Sequence, residues 1–156
     1  MKHTRLFYAA LISVAALTAT GCAHQRDMHG KDGMHGMAKQ HQATPRVVFQ
    51  VSDNDPAKWN LTLNNINNVL KDIGDQKPEI EIVAYGPGIG MLKVDATTAN
   101  RVTDALKAGV KVVACENTLQ AQKLTRADMT AGIGYVPAGV VELMTRQSQG
   151  WSYIRP

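Results

Sequence analysis

The sequence predicts an α/β fold, a three-layer α/β/α sandwich around a mostly parallel sheet of five strands. Five short apolar runs between Arg46 and Ile154 predict strands, and segments with apolar residues at helical spacing separate them. Strands that alternate with helices pair in parallel, and a parallel sheet is covered by helices on both faces. The pattern leaves the order of the strands open.

The first half of the domain contains two strands, two helices and a glycine-rich loop. Trp59, Leu63 and Ile66 recur at spacings of four and three, which places them on one face of the first helix. Gly74 and Gly109 are typical helix-ending residues. The predicted elements are a strand at 46–51 (RVVFQV), a helix from Pro56 to Ile73, a strand at 79–85 (EIEIVAY), the loop at 86–90 (GPGIG) and a helix at 98–108.

The opposite face of the first helix carries a stripe of four asparagines, Asn60, Asn64, Asn67 and Asn68. Asparagine is a poor helix former that water solvates well, so the stripe is typical of a polar surface. A polar subunit interface or the edge of a pocket is the alternative, and the sequence does not decide between them.

The second half begins with the apolar run 109–114, which predicts a strand that ends at Cys115. Asn117, with a glutamine three residues later, is a variant of the capping box and predicts the start of a helix. Thr125 and Asp128 form a second such signal, which predicts a short helical turn. The remaining predicted elements are a strand at 133–136, a helix that starts near Pro137 and stops at Gly150, and a terminal strand at 151–154.

Residues 1–21 have the layout of a secretory signal, with Lys2 and Arg5 before fourteen mostly apolar residues. That run is too short for a spanning helix, which needs about 20 residues. The small residues before Cys22 resemble a bacterial lipoprotein signal, which implies lipidation of Cys22 and a lipoprotein that faces the periplasm. Ala23, where many retained lipoproteins have aspartate, favours the outer membrane. The alternative is an ordinary cleaved signal with an incidental cysteine, and both predict export.

Residues 22–44 are predicted to be a flexible tether before the domain at 45–156, because they hold few bulky apolar residues. Four of the five histidines and three of the seven methionines of the chain fall in this tether. Imidazole and thioether ligands suit copper, so copper scavenging is one hypothesis and a plain polar spacer is the alternative. The candidate ligands are His24, Met28, His29, Met34, His35, Met37 and His41.

The charge and the cysteine content limit the classes of function that the chain can have. The formal net charge is +4 and falls by two if Lys2 and Arg5 leave with the signal. A mild balance without long basic runs does not support nucleic-acid binding. If Cys22 is the lipid anchor, Cys115 is the remaining thiol of the mature chain, and a single thiol in an exported protein is reactive, intermolecular or buried.

Cys115 is the leading candidate for chemistry. Between a strand and a helix, its thiol lies where open α/β sheets bind ligands and where the helix dipole favours the nucleophilic thiolate. The alternative for Cys115 is an inert, buried cysteine. The alternative for the glycine-rich loop is a tight connection between a strand and a helix, because the loop lacks a dinucleotide fingerprint and a Walker lysine. The predicted pocket residues around the thiol are Gly86, Gly88, Glu116, Asn117 and Thr118.

The run GVKVVAC at 109–115, followed by a helix, and the closing segment from Gly132 resemble the DsrE/DsrF-like superfamily across residues 45–156. This resemblance implies a DsrEFH-like, flavodoxin-like sandwich that assembles into homo-oligomers, trimers or hexamers. It also implies that Cys115 accepts sulfur as a persulfide and passes it on.

We therefore expect an envelope-located carrier of sulfane sulfur that requires no cofactor. Its expected partners are sulfur donor and acceptor proteins or small polysulfides. A carrier fits better than a turnover enzyme, because no general base or catalytic triad accompanies Cys115 in the sequence. The alternative is a non-enzymatic, oligomeric binding protein whose tether collects copper.

Overall fold

A computed structural model describes residues 43–156 of the chain. The predicted signal, the predicted lipidation site Cys22 and the predicted copper ligands from His24 to His41 lie outside the described residues. Within residues 43–156, no helix is long and apolar enough to cross a membrane.

Five strands form one sheet in which every neighbouring pair is parallel, in the order β4-β3-β2-β1-β5. The strands are β1 (Arg46–Val51), β2 (Glu79–Ala84), β3 (Lys111–Cys115), β4 (Gly134–Val136) and β5 (Ser152–Ile154). The α-helices are α1 (Pro56–Ile73), α2 (Ala99–Lys107), α3 (Glu116–Ala121) and α4 (Gly139–Ser148). Short 3-10 helices cover Gly74–Gln76, Gly86–Leu92 and Arg126–Asp128.

The helices cover both faces of the sheet, which confirms the predicted sandwich. Buried side chains of α1, α2 and α3 form one apolar cluster with one face of the strands. On the other face, Leu143 of α4 packs with Val48, Val83 and Val113. The register aligns Ala84 with Ala114, so β2 and β3 end together at the edge where parallel sheets bind ligands.

The start of α3 differs from the prediction. The helix begins at Glu116, and the N-cap position belongs to Cys115, which makes no side-chain capping hydrogen bond. Asn117 is therefore inside the helix and was wrongly predicted as its cap. The capping box predicted at Thr125 is present, because Asp128 Oδ2 accepts from the Thr125 amide at 2.7 Å and from its hydroxyl at 2.8 Å.

Two of the striped asparagines connect α1 to α2. The guanidinium of Arg101 donates to Asn60 Oδ1 at 2.5 Å and to Asn64 Oδ1 at 2.7 Å. This part of the stripe is therefore a contact between helices of the same chain.

Candidate functional site

The thiol of Cys115 lies at the carboxyl end of β3, on the face of the sheet that α4 covers. Side chains alternate along a strand, and Val113, two residues earlier, packs in the α4 cluster. Cys115 is only 5% exposed. Its Sγ lies 3.9 Å from the carbonyl oxygen of Pro137, to which the neutral thiol donates.

Polar groups at the starts of α3 and α4 determine the acidity of this thiol. Burial raises the pKa of the Cys115 thiol, and a hydrogen bond from the Thr118 hydroxyl lowers it. Backbone N–H groups of Gly139, Thr118 and Asn117 lower the pKa as well. Together these polar groups outweigh burial, so the pKa of the Cys115 thiol lies below its ordinary value.

Thr118 also connects the sulfur to the glycine-rich segment. Its Oγ1 accepts a hydrogen bond from the Gly86 amide at 2.9 Å. One turn later, Gln122 Nε2 donates to the Gly86 carbonyl at 3.1 Å. Gly86 has a φ of +54°, a conformation that glycine adopts without strain. Helix α3 and the residue that follows it thus bind both backbone polar groups of Gly86.

The structure gives two of the predicted pocket residues other contacts. Gly88 is buried against the end of β1, where a Cβ atom would overlap the carbonyl of Val51. The carboxylate of Glu116 pairs with Arg126 at 2.6 Å, and this guanidinium lies 4.3 Å from the centre of the Tyr135 ring. The residues grouped with Cys115 are Gly86, Asn117 and Thr118.

Sequence reasoning missed a buried charged cluster under α4, centred on Glu81 of β2. Glu81 is fully buried, with Arg146 Nε at 2.5 Å and Lys111 Nζ at 3.2 Å. Glu142 joins the cluster, since it lies 2.7 Å from Arg146 Nη2 and 3.5 Å from Lys111 Nζ. The available signal was an acidic residue between two isoleucines in a predicted apolar strand.

The two carboxyl groups of this cluster differ in acidity. Burial raises the pKa of Glu81, and a hydrogen bond with Glu142 raises it further, above its ordinary value. Burial also raises the pKa of Glu142, but that hydrogen bond and the two cations bring it below its ordinary value. Among residues 43–156, no three His, Cys, Asp or Glu side chains are placed to hold a metal ion.

Comparisons with known proteins identify relatives of the domain. The sequence model of the DsrE/DsrF-like family matches residues 46–156. A solved protein of unknown function from Methanobacterium thermoautotrophicum is 35% identical, with a TM-score of 0.69, over 72% of this chain and 99% of that one. A conserved protein of unknown function from Bacteroides thetaiotaomicron shares the fold, at 15% identity and a TM-score of 0.60, over 71% and 94% of the two chains. No curated protein matches the chain.

Proposed function

Because the chain belongs to the DsrE/DsrF-like family, which suggests a role of the sulfur-relay type, we propose that it carries sulfane sulfur as a persulfide on Cys115. The observation that carries this proposal is the position of Cys115 at the carboxyl end of β3, where polar groups at the starts of α3 and α4 lower the pKa of its thiol. The thiolate is the form of cysteine that attacks sulfur, so a lowered pKa increases the reactive fraction at neutral pH.

The transfer step exchanges one sulfur–sulfur bond for another. The thiolate of Cys115 attacks the terminal sulfur of a donor persulfide, R–S–SH, and a new bond forms at Sγ. The donor's sulfur–sulfur bond breaks, its thiolate R–S⁻ leaves, and the proton passes to that thiolate or to water. The transferred sulfur keeps its oxidation state, so the step needs no oxidant or reductant. The same N–H groups that stabilise the thiolate then stabilise the anionic persulfide.

The setting of this chemistry is part of the proposal. The chain is an exported lipoprotein anchored in the outer membrane through Cys22, and its partners are sulfur donor and acceptor proteins or small polysulfides. Support for this setting comes from the signal-like layout of residues 1–21 and from the alanine that follows Cys22.

Intact-mass analysis after exposure to polysulfide tests the proposal. The wild-type chain is expected to gain the mass of a sulfur atom, and peptide mapping is expected to place that sulfur on Cys115 and not on Cys22. A thiol reductant should remove it. The matched variant Cys115→Ser differs by one atom and should gain no sulfur at this position. An unmodified wild-type Cys115, or equal labelling of the variant, would rule out the carrier role.

A further inference from the structure

Helix α4 lies along β2 and contacts it at three points. The helix residues involved are four and three positions apart, so they share one helix face, and the strand residues alternate onto one sheet face. The contacts join Gly139 to Tyr85, which directly follows β2, place Leu143 in one apolar cluster with Val83, and pair Arg146 with Glu81. The amino-terminal start of α4 therefore lies beside the carboxyl end of β2, and its last turn lies over the middle of β2.

The first contact places the start of α4 against Cys115. A Cβ atom on Gly139 would come within 2.9 Å of the Tyr85 Cβ, so the helix approaches the strand as closely as its backbone allows. Just before the helix, the Pro137 carbonyl accepts from the Asn117 amide at 3.2 Å and lies 3.9 Å from Sγ. The environment of the sulfur thus depends on where α4 begins along the sheet.

The third contact restrains that position through a buried ion pair. A fully buried carboxyl group must be paired or hydrogen-bonded, because it has lost its contacts with water. Glu81 finds its partners on α4, where Arg146 and Glu142 are one turn apart, and on β3, where Lys111 reaches it from the surface. A slide of α4 along the sheet would separate the buried groups.

We propose that Glu81 is a positioning residue for Cys115, and that it fixes α4 along the sheet so that the start of this helix meets the sulfur. Arg146 and Glu142 connect the carboxyl group to the helix. The inference rests on the proposed function, because it assigns Glu81 a role in the reactivity of the same thiol.

Removal of the Glu81 carboxyl group could change the pKa of the Cys115 thiol in two opposite ways, through the lost charge or through a displacement of α4. The loss of a negative charge from the same face of the sheet lowers the pKa of the thiol by Coulomb's law, or leaves it unchanged if Glu81 is protonated. A displaced α4 withdraws the Gly139 N–H from Sγ and raises the pKa. A merely structural role for Glu81 changes the free energy of unfolding and leaves the pKa of the folded thiol unchanged.

The test is the pH profile of Cys115 alkylation by iodoacetamide in the full chain, read by peptide mapping. Glu81→Gln is expected to raise the pKa of the thiol and slow alkylation at neutral pH by about threefold to tenfold, the upper limit being one pKa unit. Thr118→Val removes the hydroxyl that lowers the pKa of the thiol, and it serves as the reference for the size of a rise in this pKa. Glu79→Gln removes an exposed carboxylate from the same strand and should have no effect.

Two outcomes overturn the inference. One is a thiol pKa that stays or falls in Glu81→Gln while it rises in Thr118→Val, and the other is an equal rise in Glu79→Gln. If Glu81→Gln does not fold, Arg146→Lys replaces it, because lysine keeps the charge and loses the forked contact with both acidic residues. The result of the persulfide experiment is independent of the result of this alkylation test. A wild-type chain that takes up no sulfur, with a raised pKa in Glu81→Gln, refutes the carrier role and leaves the positioning role standing.

Discussion

The sulfur of Cys115 has different partners in its two protonation states. As a thiol it donates to the Pro137 carbonyl at 3.9 Å, a long and weak contact. As a thiolate it cannot donate, and the hydroxyl of Thr118 and the backbone N–H of Gly139 stabilise it instead. The folded state therefore favours the anion more than the unfolded chain does, and this preference makes stability depend on pH.

That dependence has a definite sign. Because the folded pKa of Cys115 lies below its unfolded value, the unfolded state binds more protons between the two values. The stabilisation is fully present above the unfolded pKa and is lost as the pH falls through the folded pKa. In urea denaturation across this range, the free energy of unfolding of the wild type should rise with pH relative to Cys115→Ala.

The comparison with Cys115→Ala isolates the thiol. Two other carboxyl groups whose pKa values are lowered by neighbouring partners, those of Asp53 and Asp128, are present in both proteins, and their contributions cancel. A difference between the two proteins that stays constant or falls as the pH rises would contradict a lowered thiol pKa.

Among the elements, the segment Gly86–Leu92 is a 3-10 helix that packs tightly on the end of β1. Its closest approach is at Gly88, where a Cβ atom would overlap the backbone of Val51 and come within 2.7 Å of the Ser52 nitrogen. Backbone atoms of a central strand cannot move aside as a flexible side chain does. Gly88 is therefore required by packing of the segment that also presents Gly86 to Thr118.

We expect Gly88→Ala to lower the free energy of unfolding by about 1–3 kcal/mol, the usual cost of overpacking. The matched control is Gly74→Ala at the end of α1, where φ is −56° and a Cβ atom would have no neighbour within 4 Å. This control should stabilise the protein by about 0.4–1 kcal/mol, because alanine restricts the unfolded chain. Urea denaturation measures both, and equal effects at the two positions would contradict the packing argument.

Elements specified by nearby residues were predicted well. The β-branched run of β1 gave the bounds Arg46–Val51, and Pro56 with the apolar spacing gave those of α1. The start of α3 was missed because the Asn117 amide donates to Pro137, twenty residues later in the chain. Burial of Glu81 likewise depends on Arg146, which follows it by 65 residues. Contacts between distant segments decide both features, and local patterns do not contain them.

The order of the strands in the sheet is also a feature that local sequence patterns do not contain. Strands β1 to β4 follow one another across the sheet in chain order. The connection through α4 then crosses back over the sheet and places β5 on the other side of β1. The alternation of strands and helices predicts parallel pairing, but it does not specify where a crossing returns. One consequence of this topology is that, within residues 43–156, α4 is the α-helix packed on its face of the sheet, whereas α1, α2 and α3 share the opposite face.

The outer face of α4 is apolar and exposed. Met144 follows Val140 by four positions and Val141 by three, so it neighbours both on one side of the helix, and it is 65% exposed. Contiguous apolar surface of this kind is typical of protein–protein interfaces. The family resemblance implies a homo-oligomer, a trimer or hexamer, and we predict that it forms through this surface.

We expect Val141→Glu to shift the domain to a monomer in sedimentation velocity, because a buried, unpaired carboxylate at an interface costs several kcal/mol. The matched control is Leu61→Glu, which introduces the same charge at an exposed apolar residue of α1, on the opposite face of the sheet. A wild-type monomer would contradict the oligomer, and an equal loss of assembly in both variants would contradict the assignment to α4. Because α4 also places the Gly139 N–H beside Cys115, assembly through this helix would restrain the thiol environment from outside as Glu81 does from within.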